Sequence, residues 1–224
     1  MKFGVLQFPG SCDDLDALAA ARRVGDAELL WHRERDLKGA EAIVVPGGFS
    51  YGDYLRAGAI ARFSPVMESV IAFANDGGMV LGICNGFQVL CEAHLLPGAL
   101  LGNLSRRFTF RQVELEVANL HSAFTVACAP GERLSIPAKH AWGRYYAEDQ
   151  TLRAMEQAGQ LVLRYAAGHN FNGSLHDIAG VCNQAGNVFG LMPHPEHAVD
   201  ELSGSIDGLK IFESMRMSVE GARV

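Results

Sequence analysis

Residues 80–90, VLGICNGFQVL, constrain this chain more than any other stretch. An apolar strand runs into Gly82-Ile83-Cys84-Asn85-Gly86, and a helical pattern follows over 86–94. Strand, tight turn and helix form the unit from which parallel sheets with crossover helices are built. The first hundred residues repeat it. Residues 2–8 read as a buried strand closed by Pro9-Gly10, and Asp13 or Asp14 is placed to cap a helix reaching Val24. AELLW and AIVVPGG read as strands, and Ser64-Pro65 starts a helix to about Asn75. From Phe108 the texture changes: FTFRQVELEVANL, FTVACA and RLSIPAKHA are strand-like. LVLRYA, IAGVCN and NVFGLMP follow, with a hairpin turn at 183–187, and a helix over 207–219 closes the chain. The expected fold is a single α/β domain over 1–224. It has three layers, with a mostly parallel open sheet flanked by helices and an added antiparallel portion.

The chain has 224 residues, of which 49% are hydrophobic and 20% charged, which suits one sizeable core and excludes disorder. A net charge of −6 argues against nucleic acid or an anionic membrane as partner. The N-terminal apolar run is too short for a signal peptide, and no stretch reaches a membrane span. The five cysteines form no C-x-x-C pair, which speaks against a disulfide framework or a metal site. A cytoplasmic protein with reduced thiols is the expectation.

In G-x-C-x-G the cysteine sits where a strand turns sharply into a helix, the thiol counterpart of the G-x-S-x-G elbow. A helix N-terminus places partial positive charge beside a thiolate. The alternative is a packed turn holding a small apolar residue. A thiol nucleophile needs a base, and GLMPHPEHAV offers His194 between two prolines. In extended chain Glu196, two residues on, faces the same side and can orient the imidazole, whereas His197 points the other way. Backbone amides at Asn85 and around Gly48 are candidates for an oxyanion hole. His140, a lone histidine in a strand-like segment, reads as structural.

These segments resemble the class I, triad-type glutamine amidotransferases, marked by a G-x-C-x-G elbow and a distant H-P-E. FPGSCDD, PGGFSYGDYLRAGAIA, GICNGFQVL, NGS, IAGVCNQAGNV and GLMPHPE spread the likeness over nearly the whole chain. Within the family it is nearest to subunits that feed an ATP-dependent synthase of purine biosynthesis. The resemblance implies a triad of Cys84, His194 and Glu196. It also implies glutamine binding by Gln88, with Ser122 and Phe124 at the amino-acid end. The expected partners are a larger synthase subunit together with a small accessory subunit. No G-x-x-x-x-G-K-[ST] loop occurs, so no cofactor is expected here, and ATP and magnesium belong to the partner. One departure stands out: the family's A-H-G-E-G is Lys139-His140-Ala141-Trp142-Gly143 here, with Trp142 replacing the acid. An amidotransferase for a different acceptor, a thiol hydrolase on a similar fold, and a subunit with a dead site remain as alternatives.

Overall fold

The computed structural model describes residues 1–222. In chain order the elements are β1 (Lys2–Gln7), α1 (Asp14–Arg22), β2 (Asp26–Trp31), β3 (Ala42–Val45), α2 (Pro65–Asn75), β4 (Met79–Ile83) and α3 (Asn85–Glu92). There follow β5 (Ala99–Leu101), β6 (Thr109–Val117), β7 (Arg133–His140), β8 (Arg144–Tyr146) and α4 (Asp149–Gln157). The chain ends with β9 (Leu161–Tyr165), β10 (Ile178–Cys182), β11 (Val188–Leu191) and α5 (Leu209–Gly221).

Nine strands form one sheet in the order β2-β1-β3-β4-β11-β10-β9-β6-β7. The pairs from β2 to β11 are parallel and those from β11 to β7 antiparallel. The central strands β3, β4 and β11 are buried at every position. This explains their unbroken apolar sequences, since helices must cover both faces of such strands. The carboxyl ends of β4 and β11 lie side by side, with Ile83 paired to Leu191. The connections leaving them, at Cys84 and at 192–197, therefore emerge at the same edge. Among the described residues no helix is long and apolar enough to cross a membrane.

Two local expectations change, and one small ribbon adds to them. FTVACA is not a strand, because side chains turn the backbone on itself: Asn119 Oδ1 accepts from His121 N–H, Ser122 Oγ from Phe124 N–H, and Thr125 Oγ1 donates to the Asn119 carbonyl. The three-residue strands β5 and β8 pair as a separate ribbon, too short to announce themselves. Ser64 and Asp13 occupy N-cap positions, but neither side chain caps its helix. Ser64 Oγ bonds Tyr51 Oη at 2.8 Å, and Asp13 is spent elsewhere.

Candidate active site

Cys84 joins β4 to α3 with φ 50° and ψ −103°, a region costly for any residue with a side chain. The flanking glycines are not the residues at positive φ. They supply room instead. A methyl group at Gly82 would lie 2.8 Å from the Gly86 carbonyl carbon, and one at Gly86 would strike the Val45 carbonyl of β3. Two glycines thus let α3 lie directly on β3 and β4, and the strain falls on the thiol-bearing residue.

His194 follows β11, and its N–H donates to the Pro137 carbonyl of β7 at 2.7 Å. Pro195 then starts a single 3₁₀ turn through His197. That turn brings Glu196 Oε1 to 2.5 Å from His194 Nδ1, with both side chains buried. Extended spacing was the expected route, but a tight turn is the actual one. The same turn corrects the reading of His197, whose ring packs 5.4 Å from that of His194 rather than pointing away. With Nδ1 engaged by Glu196, Nε2 is buried without a hydrogen-bond partner and is the nitrogen left to serve Cys84. The thiol itself rests 3.8 Å from the Lys139 carbonyl oxygen. Burial alone would depress the pKa of His194. The Glu196 carboxylate and Cys84 outweigh it and raise it to about 10.

Asp13 stands on the other side of this base. Its Oδ2 lies 3.6 Å from His194 Nδ1, while its Oδ1 lies 2.6 Å from Lys139 Nζ and 3.2 Å from His197 Nε2. Burial would raise its pKa, but His197, His194 and Lys139 together hold the carboxyl well below the usual range. Asp13, His194, Glu196 and His197 offer donor atoms within 4.8 Å of one another, the spacing a metal ion needs. The Lys139 ammonium already sits among them and would repel a second cation.

Two amides, at Asn85 and Gly48, are expected beside the thiol. The first helical bond of α3 runs from Gln88 N–H to the Cys84 carbonyl, so Asn85 N–H precedes any intrahelical acceptor. Gly48, at φ +143°, bridges Ser11 through the Phe49 N–H and the Gly47 carbonyl, which leaves its own N–H outside that pairing. The Asn85 side chain fixes this corner. It accepts from Ser50 N–H at 3.0 Å and donates to Asp53 at 3.2 Å and Gln88 at 2.9 Å. Gln88 in turn donates to the Trp142 carbonyl at 2.5 Å. Cys84, His194, Gly48, Gln88, Lys139 and Trp142 are among the residues lining one cavity of about 140 Å³.

His140 also lines it, as a neutral group: burial, and then the charge of His194, push its pKa down to about 3. Its Nδ1–H donates to Asn103 Oδ1, whose own amide donates to the His140 carbonyl. These bonds tie β7 to the loop before β6, which is a structural role.

The structure gathers Cys84, His194, Glu196, Gly48, Asn85 and Gln88 at one place. It does not bring Ser122 and Phe124 there. The carboxyl end of β6 points away from Cys84, and the turns beyond it dock on α5, where Ser218 Oγ donates to the Ala123 carbonyl. Phe124 is fully buried against Phe189. Conversely, sequence reasoning passes over Asp13, Lys139 and His197 as site residues. Only Lys139, a lysine at the family's alanine position, carries a signal.

The family model for the CobB/CobQ-like glutamine amidotransferase domain matches residues 1–217. Phosphoribosylformylglycinamidine synthase subunit PurQ of Rubrobacter xylanophilus is 56% identical, covering 100% of both chains. Its namesake from Salinibacter ruber is 52% identical, over 96% of this chain and 95% of that one. A chain in the structure of PurLQS from Thermotoga maritima superposes with a TM-score of 0.88 at 43% identity, covering 96% of this chain and 97% of that chain.

Proposed function

The chain belongs to the CobB/CobQ-like glutamine amidotransferase domain family, and on that premise we propose that Cys84, His194 and Glu196 carry its glutaminase chemistry. The chain hydrolyses glutamine to glutamate and ammonia, and supplies the ammonia to phosphoribosylformylglycinamidine synthase in purine biosynthesis. The larger synthase subunit, which uses ATP and magnesium, converts formylglycinamide ribonucleotide to its amidine. A small accessory subunit completes the assembly in the cytoplasm.

The observation that carries this reading is the buried His194–Glu196 pair, 2.5 Å apart, beside a cysteine held at positive φ. The proton of Cys84 Sγ passes first to His194 Nε2, whose imidazolium Glu196 supports, and the resulting thiolate attacks the glutamine carboxamide carbon. Asn85 N–H and Gly48 N–H take the charge that develops on the carbonyl oxygen. The C–N bond breaks as His194 returns the proton to the departing nitrogen, giving ammonia and a γ-glutamyl thioester. Water, activated by His194, then attacks the thioester and restores the thiol.

Phe49, Tyr54 and Leu55 are exposed beside Gly48, where exposed aromatics suit a binding surface. Packing of the synthase on this loop would set the Gly48 amide, and one such donor is worth roughly 10²- to 10³-fold in rate. The test is glutamine hydrolysis by the purified chain with and without the synthase and its nucleotide ligands. Slow turnover alone and a large gain with partner is expected. Full turnover alone, unchanged by partner, would make the chain a free-standing glutaminase.

A further inference from the structure

We propose that Asp13 is a second carboxylate for the catalytic base, making a four-membered arrangement in which Lys139 and His197 set the charge that Asp13 presents to His194. The inference rests on the glutaminase reading, because it assigns a positioning role within that site.

The geometry singles Asp13 out. It begins α1 yet gives its helix no cap, turning inward to a position only 4% exposed. Its Oδ2 approaches His194 Nδ1, the nitrogen that also holds Glu196. Gly47 makes this approach possible: a methyl group there would sit 2.5 Å from Asp13 Oδ2 and 2.7 Å from His194 Cε1, wedged between the two. The glycine pair after β3 therefore has two separate duties, one of room for Asp13 and one of an amide at Gly48.

A second buried carboxylate at 3.6 Å would over-stabilise the imidazolium if it stood alone. Lys139 Nζ opposes it by holding Asp13 Oδ1, and lies 3.0 Å from His197 Nε2. The titratable groups around His194 enter this balance: Glu196 and His197 on its own turn, Asp13 before α1, Lys139 and His140 on β7, and Cys84 at the elbow, with Cys12 and Asp53 lining the same cavity. The sign follows from the charges. Removing Asp13 takes away a negative neighbour and leaves Lys139 unopposed, so the imidazolium loses its proton at lower pH. Removing Lys139 as well returns the balance toward its starting point.

The experiment follows the imidazole of His194 by NMR titration in the intact chain, assigned with His194→Ala, alongside the pH profile of glutamine hydrolysis with the synthase present. Asp13→Asn is expected to lower the His194 pKa, and with it the alkaline limb of the profile, by about one unit or more, with KM for glutamine unchanged. Asp13→Asn/Lys139→Met is expected to recover much of that shift, which a merely structural lesion would not do. A His194 titration in Asp13→Asn that coincides with wild type, or a double variant no higher than the single one, overturns the proposal. Should Asp13→Asn not fold, Lys139→Met alone decides: its His194 pKa must lie at or above wild type, and a lower value overturns the idea. The controls keep the two readings apart, since an inactive wild-type complex would refute the glutaminase reading itself.

Discussion

The β6–β7 hairpin has one end in the candidate site and the other beneath α5, and the two ends behave differently. At the first, Thr109 pairs with His140, and the Lys139 carbonyl lies over the Cys84 thiol. At the second, Glu116 pairs with Arg133, and the intervening turns pack on α5 through Ala127 N–H to Ser214 Oγ and Ser218 Oγ to Ala123. The second end carries Ser122 and Phe124, which family likeness marked as functional. Only the first end reaches the thiol, because eight paired residues at about 3.3 Å each hold the two ends more than about 20 Å apart. A motif says what a residue could do, and strand direction decides whether it is in reach.

The sharpest separation of the two ends is Cys84→Ser. It should reduce glutaminase turnover in the complex by at least about 10⁴-fold while the unfolding midpoint stays near wild type. A glutamine-like electrophile should label Cys84 in preference to Cys91 and Cys182. Burial pushes both of those thiols up, that of Cys182 to about 11. Label found mainly on either of these two would overturn the elbow reading.

Next in size is the contrast within the base. His194→Ala should cost roughly 10²- to 10⁴-fold in kcat, the range of a positioned general base. Glu196→Gln should cost less, because an amide oxygen still accepts from Nδ1 although it supports the imidazolium less. Asp13 also remains beside that nitrogen in the variant. Steady-state rates at one pH check the order, and full activity in both variants would dismantle the triad.

The parallel half of the fold was legible because its central strands are apolar throughout and its helices begin at recognisable punctuation. The elbow was legible for the same reason, although its glycines serve packing rather than backbone torsion. Asp13 was not, because an aspartate at a helix start already has an ordinary explanation in capping. Only the fold reveals that its partner is Lys139, 126 residues away. His197 was hidden by a different step: extended chain puts neighbours on opposite sides, and one 3₁₀ turn brings them together. Ser122 and Phe124 lie away from the thiol for topological reasons that no local pattern contains.

Their placement supplies the smallest expected effect on catalysis. If the α5 end of the hairpin is purely structural, Ser122→Ala and Phe124→Leu should leave KM for glutamine and kcat unchanged. Their cost should appear in stability instead. Ser122 Oγ accepts one 3.3 Å hydrogen bond from Phe124 N–H, so its loss should cost about 1 kcal/mol. Phe124 is completely buried, with its ring 5.0 Å from that of Phe189 on β11, so truncation to alanine should cost about 3–5 kcal/mol. Urea unfolding measures the stability cost, and steady-state kinetics measures KM and kcat. Phe189 lies on the strand that leads to His194, so a Phe124→Ala cavity could loosen the base. Phe124→Leu fills most of that space and separates the two effects. A rise in KM of about tenfold for Ser122→Ala at unchanged stability, worth about 1.4 kcal/mol of binding, would return Ser122 to the glutamine site. It would also mean that the 119–128 turns rearrange when glutamine binds.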